Sequence, residues 1–258
     1  MVIDTDFHSH VSRSSALQMA QAAKAKGLRV LGLSEHVFQM QEAHETLAYL
    51  GLEGPMLTFA SYIDAVQCAA QQSGIAVRLG LEVDFVPEKN ASIQAFLQAQ
   101  SWDFLIGSVH EIDGEPFEHE QKLSKAEGEA LWLQYLDLLY QAVTSGYFQV
   151  VSHPVRMRSV NPYLPPTLDS ELERLAAEAT RRNVALEVNG YDMLTYPTVV
   201  WRLVKACALH STPISIGSDA HYPSRIAQAH AQTEELLREA QINTVRIWQQ
   251  RQIEEYRF

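Results

Sequence analysis

The chain has 258 residues, 47% hydrophobic and 20% charged, which is enough apolar material for one barrel-sized core, and no Ser/Gly-rich or Pro-rich linker divides it. Its formal charge of −11 excludes a nonspecific nucleic-acid or membrane-binding surface, because phosphates are repelled wherever metals or local arginines do not reverse the sign. Two cysteines are too few for a disulfide framework, and no secretory leader or bilayer-length apolar run is found, so the expectation is a soluble cytoplasmic protein with one domain over residues 1–258.

Short Val/Ile/Leu-rich segments alternate with longer amphipathic ones, the pattern of a parallel sheet wrapped by helices. Strands are predicted at 2–7, 30–34, 77–81, 104–109, 148–152, 185–188 and 213–217. Helices are predicted at 16–26, 57–72, 92–100, 124–145, 169–181 and 198–210, with Gly27, Gly74 and Gly146 as C-terminal stops. Residues 224–258 are expected to form one or two closing helices, and 39–56 and 161–166 to form loops that follow strands.

Potential ligands stand at the C-terminal end of every predicted strand. In order they are His8 and His10, Glu35 and His36, Glu82 and Asp84, His110 and Glu111, His153, Glu187 and Asn189, and Asp219 and His221. Side chains alternate along a strand, so the His8-x-His10 pair points two imidazoles to one side, an arrangement that suits a divalent ion. Alone, such a pair is as well explained by two solvated histidines at a strand end. In a parallel barrel, however, all these ends converge on one face. His44, His119, His210 and His230 fall in loops or helices instead.

The ordered motifs resemble the polymerase and histidinol phosphatase (PHP) superfamily, and within it the stand-alone histidinol-phosphatase-like branch. Asp6-Phe-His8-Ser-His10 is similar to the first motif, Gly32-Leu-Ser-Glu35-His36 to the second and Gly80-Leu-Glu82 to the third. Ile106-Gly-Ser-Val-His110, Ser152-His153-Pro154, Glu187-Val-Asn189 and Gly217-Ser-Asp219-Ala-His221 resemble the rest. The resemblance implies an α/β fold, a distorted (β/α)7 TIM-like barrel of PHP type, with two or three divalent ions (zinc, iron or manganese). It implies a first ion on His8, His10, Glu82 and Asp219, and a second on Glu82, His110 and His153, with Glu82 as the anionic bridge. Mixed His and carboxylate ligands suit these metals better than calcium. A third ion would use His36 and His221. Residues 11–16 lack the further histidine common in the family, so either this ion has fewer protein ligands or it is absent and Arg13 supplies positive charge. Glu35 replaces a common aspartate, and Val155 stands where many relatives carry another.

The implied chemistry is hydrolysis of a small phosphate monoester, most closely histidinol phosphate in histidine biosynthesis, by a hydroxide bridging two metals. Glu82, Asp219 and His221 are the expected catalytic groups, the last two as proton carriers. Arg158 is the first candidate for gripping the phosphate, followed by Arg156 and Arg13, and Glu187 would face the substrate amine. Alternatives are another phosphate ester or nucleotide, an amidohydrolase-like C–N hydrolase, a polymerase-associated exonuclease, or a binding module with a structural metal. An amidohydrolase would show a bridging lysine where His110 stands, and a nucleic-acid enzyme would show a basic stripe with stacked aromatics, which this acidic chain lacks. A structural metal site would be closed and tetrahedral.

Overall fold

The computed structural model describes residues 3–47, 54–117 and 122–258. Along the chain they form β1 (Thr5–Asp6), α1 (Ala16–Ala25), β2 (Val30–His36), α2 (His44–Leu47), α3 (Phe59–Ser73), β3 (Ala76–Asp84), α4 (Asn90–Leu97) and β4 (Phe104–Ser108). There follow the short pair β5 (Glu111–Ile112) and β6 (Glu115–Pro116), then α5 (Lys125–Thr144), β7 (Val150–Val151), α6 (Leu168–Arg182) and β8 (Ala185–Asn189). The chain ends with α7 (Gly190–Thr195), α8 (Pro197–His210), β9 (Ile214–Gly217), α9 (His230–Glu239), β10 (Thr244–Gln249) and β11 (Gln252–Arg257). His119 and part of the predicted loop 39–56 lie outside the described residues.

The seven expected strands pair as one sheet in the order β1-β2-β3-β4-β7-β8-β9, every neighbour parallel. The first and last edges meet through backbone hydrogen bonds, with Phe7 N donating to Ile216 O (2.9 Å), Asp219 N to His8 O (2.8 Å) and His10 N to Ala220 O (2.9 Å). The sheet is thus closed into a seven-stranded barrel, which removes its open edges.

Period-two alternation sorts each strand into an outer apolar row and an inner row. Leu31 and Leu33, Leu81 and Val83, Leu105, Val151, and Leu186 and Val188 face the helices, in one core with Met19, Tyr62, Trp132 and Leu172. The inner row begins apolar, with Phe7, Val30, Phe104, Ile106, Val150 and Ala185 in a separate cluster. Further along the same strands it turns polar, at His36, Glu82, Asp84, Ser108, Ser152 and Glu187. Gly80 is needed below this change of character, since a Cβ there would come within 2.4 Å of the Phe104 ring that fills the interior.

The helices start where their capping residues dictate. Thr58 and Ser124 close capping boxes with Ser61 and Glu127 at the heads of α3 and α5. The expectation of closing helices over 224–258 is corrected, because only α9 is helical and β10 pairs antiparallel with β11. This hairpin inserts Ile247 and Trp248 into the apolar inner cluster, with Trp248 edge-on to Phe7 at 6.0 Å. It stops the end of the barrel opposite the polar mouth. Helix α7 was also unforeseen, and the Asn189 side chain caps it by accepting from Tyr191 N and Asp192 N. Among the described residues no helix is long and apolar enough to cross a membrane.

Candidate metal centre

Glu82 sits near the end of β3, in register with His36 on one side and Ile106 on the other, so its side chain stands inside the barrel. Its carboxylate divides the surrounding imidazoles into two sets. Oε2 faces His36 Nε2 (3.0 Å), His8 Nε2 (3.2 Å) and His10 Nε2 (3.7 Å). Oε1 faces His153 Nε2 (3.1 Å) and His110 Nε2 (3.4 Å), and accepts from Ser108 Oγ (2.7 Å). Asp219 Oδ1 closes the first set at 3.2 Å from His10 Nε2 and 3.8 Å from His8 Nε2.

The far nitrogens of the rings other than His153 lie near other acceptors. Nδ1–H of His8 donates to Glu187 Oε1 (2.7 Å) and that of His110 to Asp84 Oδ1 (2.6 Å). Glu35 Oε1 lies 3.3 Å from His36 Nδ1 and 3.5 Å from His10 Nδ1, and His221 Nδ1 is 3.2 Å from the Asp219 carbonyl. A carboxylate can only accept, so each partnered Nδ1 carries the proton and each Nε2 turns a lone pair inward, the arrangement that orients histidine ligands to a metal. Among the described residues His8 Nε2 and Glu82 Oε2 are buried without hydrogen-bond partners. Two facing acceptors of this kind require a proton or a cation between them. The donor set therefore fits divalent ions of the zinc, iron or manganese type. The ligand-sized groups are His8, His10 and Glu82; His36, Glu82 and His110; and His10, His36 and His221, each with its atoms within 4.8 Å of one another. In the third group His10 joins His36 and His221, where the sequence had offered no third histidine.

The electrostatics carry the same requirement. Burial works against the charged form of His8, yet Glu187, Glu82 and Asp219 hold its pKa well above the usual value, and Glu82 and Asp84 do the same for buried His110. Burial likewise opposes ionisation of Glu82 and Asp219, but the imidazoles, with Arg156 beside Asp219, keep both carboxyls well below their usual range. Burial also opposes ionisation of Glu35, which the imidazoles of His10 and His36 nevertheless hold far down, and its oxygens accept from Val11 N (2.6 Å), Ser12 N (2.6 Å) and His36 N (2.9 Å). Its extra methylene relative to aspartate lets it cap this backbone from behind the cluster.

Arg156 lies against Asp219. It donates from Nε to Asp192 Oδ1 (2.7 Å) and from Nη2 to Asn189 Oδ1 (3.0 Å) and Asp219 Oδ2 (2.7 Å), and its guanidinium sits over the Tyr191 ring. Burial pushes the carboxyl of Asp192 up in spite of this arginine. Arg156, Arg13, Asp219, His221, Tyr191 and Tyr222 border a cleft of about 550 Å³. Another hollow of about 600 Å³, beside Trp102 and Arg251, contains none of the clustered ligands.

Two expectations are corrected. Glu187 does not face a substrate amine, because it is buried, its Oε1 holds His8 and its Oε2 accepts from His153 N (2.9 Å) and Asn189 Nδ2 (3.1 Å). Arg158, first in line for the phosphate, lies over the Tyr196 ring and does not border the cleft, whereas Arg156 and Arg13 do. Asp84, Glu35 and Asp192 are site residues whose roles the sequence did not reveal. Asp84 carries a signal, since it is two residues past Glu82 and so on the same face of β3.

A parallel seven-stranded barrel with a histidine–carboxylate cluster at its C-terminal mouth defines a class of barrel proteins able to hold metal at that mouth. Within that class, the PHP domain matches residues 4–190, and the chain belongs to this family. A probable histidinol-phosphatase of Deinococcus radiodurans is 28% identical over 88% of each chain. A probable phosphatase of Shewanella piezotolerans is 25% identical over 85% of this chain and 78% of its own. Among solved structures, the histidinol phosphate phosphatase of Lactococcus lactis, complexed with zinc, L-histidinol and phosphate, has the same fold, with a TM-score of 0.78, 18% identity, and coverage of 97% of this chain and 98% of its own.

Proposed function

We propose that this PHP-domain protein is a metal-dependent phosphate-monoester hydrolase, and that its substrate is histidinol phosphate. The observation that carries the hydrolase reading is the division of the Glu82 carboxylate, one oxygen toward His8, His10 and His36 and the other toward His110 and His153. Such a split suits an anionic bridge between neighbouring dications. Ions held there supply Lewis acidity, which acidifies water toward neutral pH and offsets the charge of the phosphoryl oxygens. The substrate reading is supported by the relatives from Deinococcus and Lactococcus, one named as a probable histidinol-phosphatase and the other solved with L-histidinol and phosphate.

The chain's own residues divide the remaining work. His8, His10, Glu82 and Asp219 would hold a first ion and Glu82, His110 and His153 a second, and His36 and His221 complete the mouth with His10. Arg156, immobilised by Asp192 and Asn189, adds positive charge at the cleft wall beside Asp219, and Arg13 lines the same cleft. His221 keeps Nδ1 on the Asp219 carbonyl, so its Nε2 is the atom that ligates or moves a proton.

The test combines metal analysis with phosphate release from L-histidinol phosphate, a nucleoside monophosphate, a phosphodiester and an amide, using zinc-, manganese- and iron-loaded protein. Fastest turnover of histidinol phosphate upholds both readings. Release from other monoesters only would remove the substrate reading, and cleavage of the amide alone would make the protein a C–N hydrolase.

A further inference from the structure

We propose that Glu187 is a positioning residue that couples the two halves of the metal centre, setting the His8 ring with one carboxylate oxygen and the His153 backbone with the other. The proposal rests on the metal-centre reading above. Glu187 Oε1 accepts from His8 Nδ1 at 2.7 Å, and Oε2 accepts from His153 N at 2.9 Å. The Nε2 atoms of the same two residues meet different oxygens of Glu82, His8 Nε2 at Oε2 (3.2 Å) and His153 Nε2 at Oε1 (3.1 Å). Glu82, His8, Glu187 and His153 therefore close a ring, with Glu82 facing both imidazoles and Glu187 behind the His8 ring and on the His153 main chain.

His153 depends on this support in a way that His8 and His110 do not. His8 and His110 are aimed through an Nδ1–carboxylate bond, but His153 Nδ1 is buried without a hydrogen-bond partner among the described residues. Its aim is set through the main chain, at φ 32°, a conformation that side-chain-bearing residues rarely adopt. Glu187 grips the N–H of that residue, and Tyr135 Oη donates to its carbonyl at 2.9 Å. Gly217 on the adjacent strand leaves the room, since a Cβ there would fall 2.3 Å from Glu187 Oε1 and 2.2 Å from His8 Cβ.

Only a carboxylate satisfies both partners, because both are donors. A glutamine that accepts from His153 N turns its NH2 toward His8 Nδ1, which moves the ring proton to Nε2 and removes the ligating lone pair. The opposite amide orientation sets NH2 against His153 N–H. In either orientation the amide repels one of the two donors, and because a single side chain carries both contacts, its displacement loosens the other as well.

The experiment titrates zinc into the metal-stripped full chain against a chromophoric chelator, for wild type, Glu187→Gln and Asp84→Asn, with circular dichroism as a check of folding. Asp84 contacts His110 alone among the ligands, so Asp84→Asn weakens one zinc equivalent, whereas Glu187→Gln weakens both, each by about 10–100-fold. A 15N spectrum of the zinc-loaded protein gives a second readout, with the His8 proton on Nδ1 in wild type and displaced in Glu187→Gln. Loss of one equivalent only, or of none, in folded Glu187→Gln overturns the coupling. Should Glu187→Gln not fold, Glu187→Asp, which keeps the charge but is too short to hold both partners, is measured with the same two outcomes. Wild-type protein that takes up no zinc overturns the metal-centre reading together with the coupling, whereas zinc-replete wild type beside a single-site Glu187→Gln defect overturns the coupling alone.

Discussion

Arg156 and Arg158 lie two residues apart on one short turn after β7, yet they have different tasks. Arg156 is held by Asp192, Asn189 and Asp219 at the cleft wall, while Arg158 covers Tyr196. Arg156→Ala is expected to lower kcat/KM for phosphate monoesters by about 10²–10³-fold, the usual cost of losing one preorganised charge-stabilising donor. Arg156→Lys rescues little of this, since an ammonium cannot span the same acceptors in a planar fork. Arg158→Ala leaves kcat/KM unchanged, and an equal loss in both alanine variants would show that the cleft is not where the ester binds. The thiols give a second contrast at this scale. Cys207 is buried and its thiol is pushed up to about 12 by desolvation, whereas Cys68 is exposed on α3. The thiolate is the reactive form, so a thiol reagent near neutral pH should modify Cys68 alone in the native protein and both cysteines in denaturant. Modification of Cys207 in the native state would contradict its burial.

At the scale of elements, the C-terminal hairpin closes the barrel, and its sequence hides it. The turn residues Gln250 and Arg251 both have positive φ, a role that Asn-Gly or Asp-Gly usually announces. Here the turn is fastened from outside, with Gln250 N donating to Asp103 Oδ1 and Arg251 N to Asp103 O. Trp248 fills the base of the barrel at 1% exposure. Trp248→Ala should destabilise the fold by about 3–5 kcal/mol through lost burial and a cavity, seen as a lower urea midpoint. Metal content after loading should be unchanged, because the site lies at the opposite mouth. A variant that loses zinc at unchanged stability would show that the plug acts on the centre directly. By contrast, α3 and α5 were legible to within two residues, since Thr58 and Ser124 are caps whose partners lie three residues on. Helix α7 is not, because in the sequence its cap Asn189 looks like one more ligand at a strand end.

For the molecule as a whole, the cluster links stability to both pH and metal. In stripped protein, His8 and His110 bind protons more tightly folded than unfolded. Their contribution is complete below the unfolded histidine pKa of about 6.5 and is lost as pH rises through the raised folded values. Glu35, Glu82 and Asp219 have lowered values, so their contribution is complete above about pH 4.5 and is lost as pH falls through them. Stripped protein should therefore be most stable between about pH 4.5 and 6.5 and should melt at falling temperature as the pH is raised beyond that window. Bound cations replace the protons, so the melting gap between loaded and stripped protein should widen as pH rises. Calorimetry across this range would refute the linkage if the gap stayed constant.

The linear chain by itself determined the strand-and-helix rhythm, the PHP resemblance and the residues at the strand ends, because alternation and capping act over a few positions and leave a periodic trace. Which of those residues face each other, and which stand behind, was decided only by closure of the barrel. Glu82 and Glu187 look alike as acidic residues at strand ends, yet one sits among the imidazoles and the other behind the His8 ring and the His153 main chain. The difference is set by partners from distant strands, whose approach depends on space that Gly80 and Gly217 leave open, and no local pattern records such contacts.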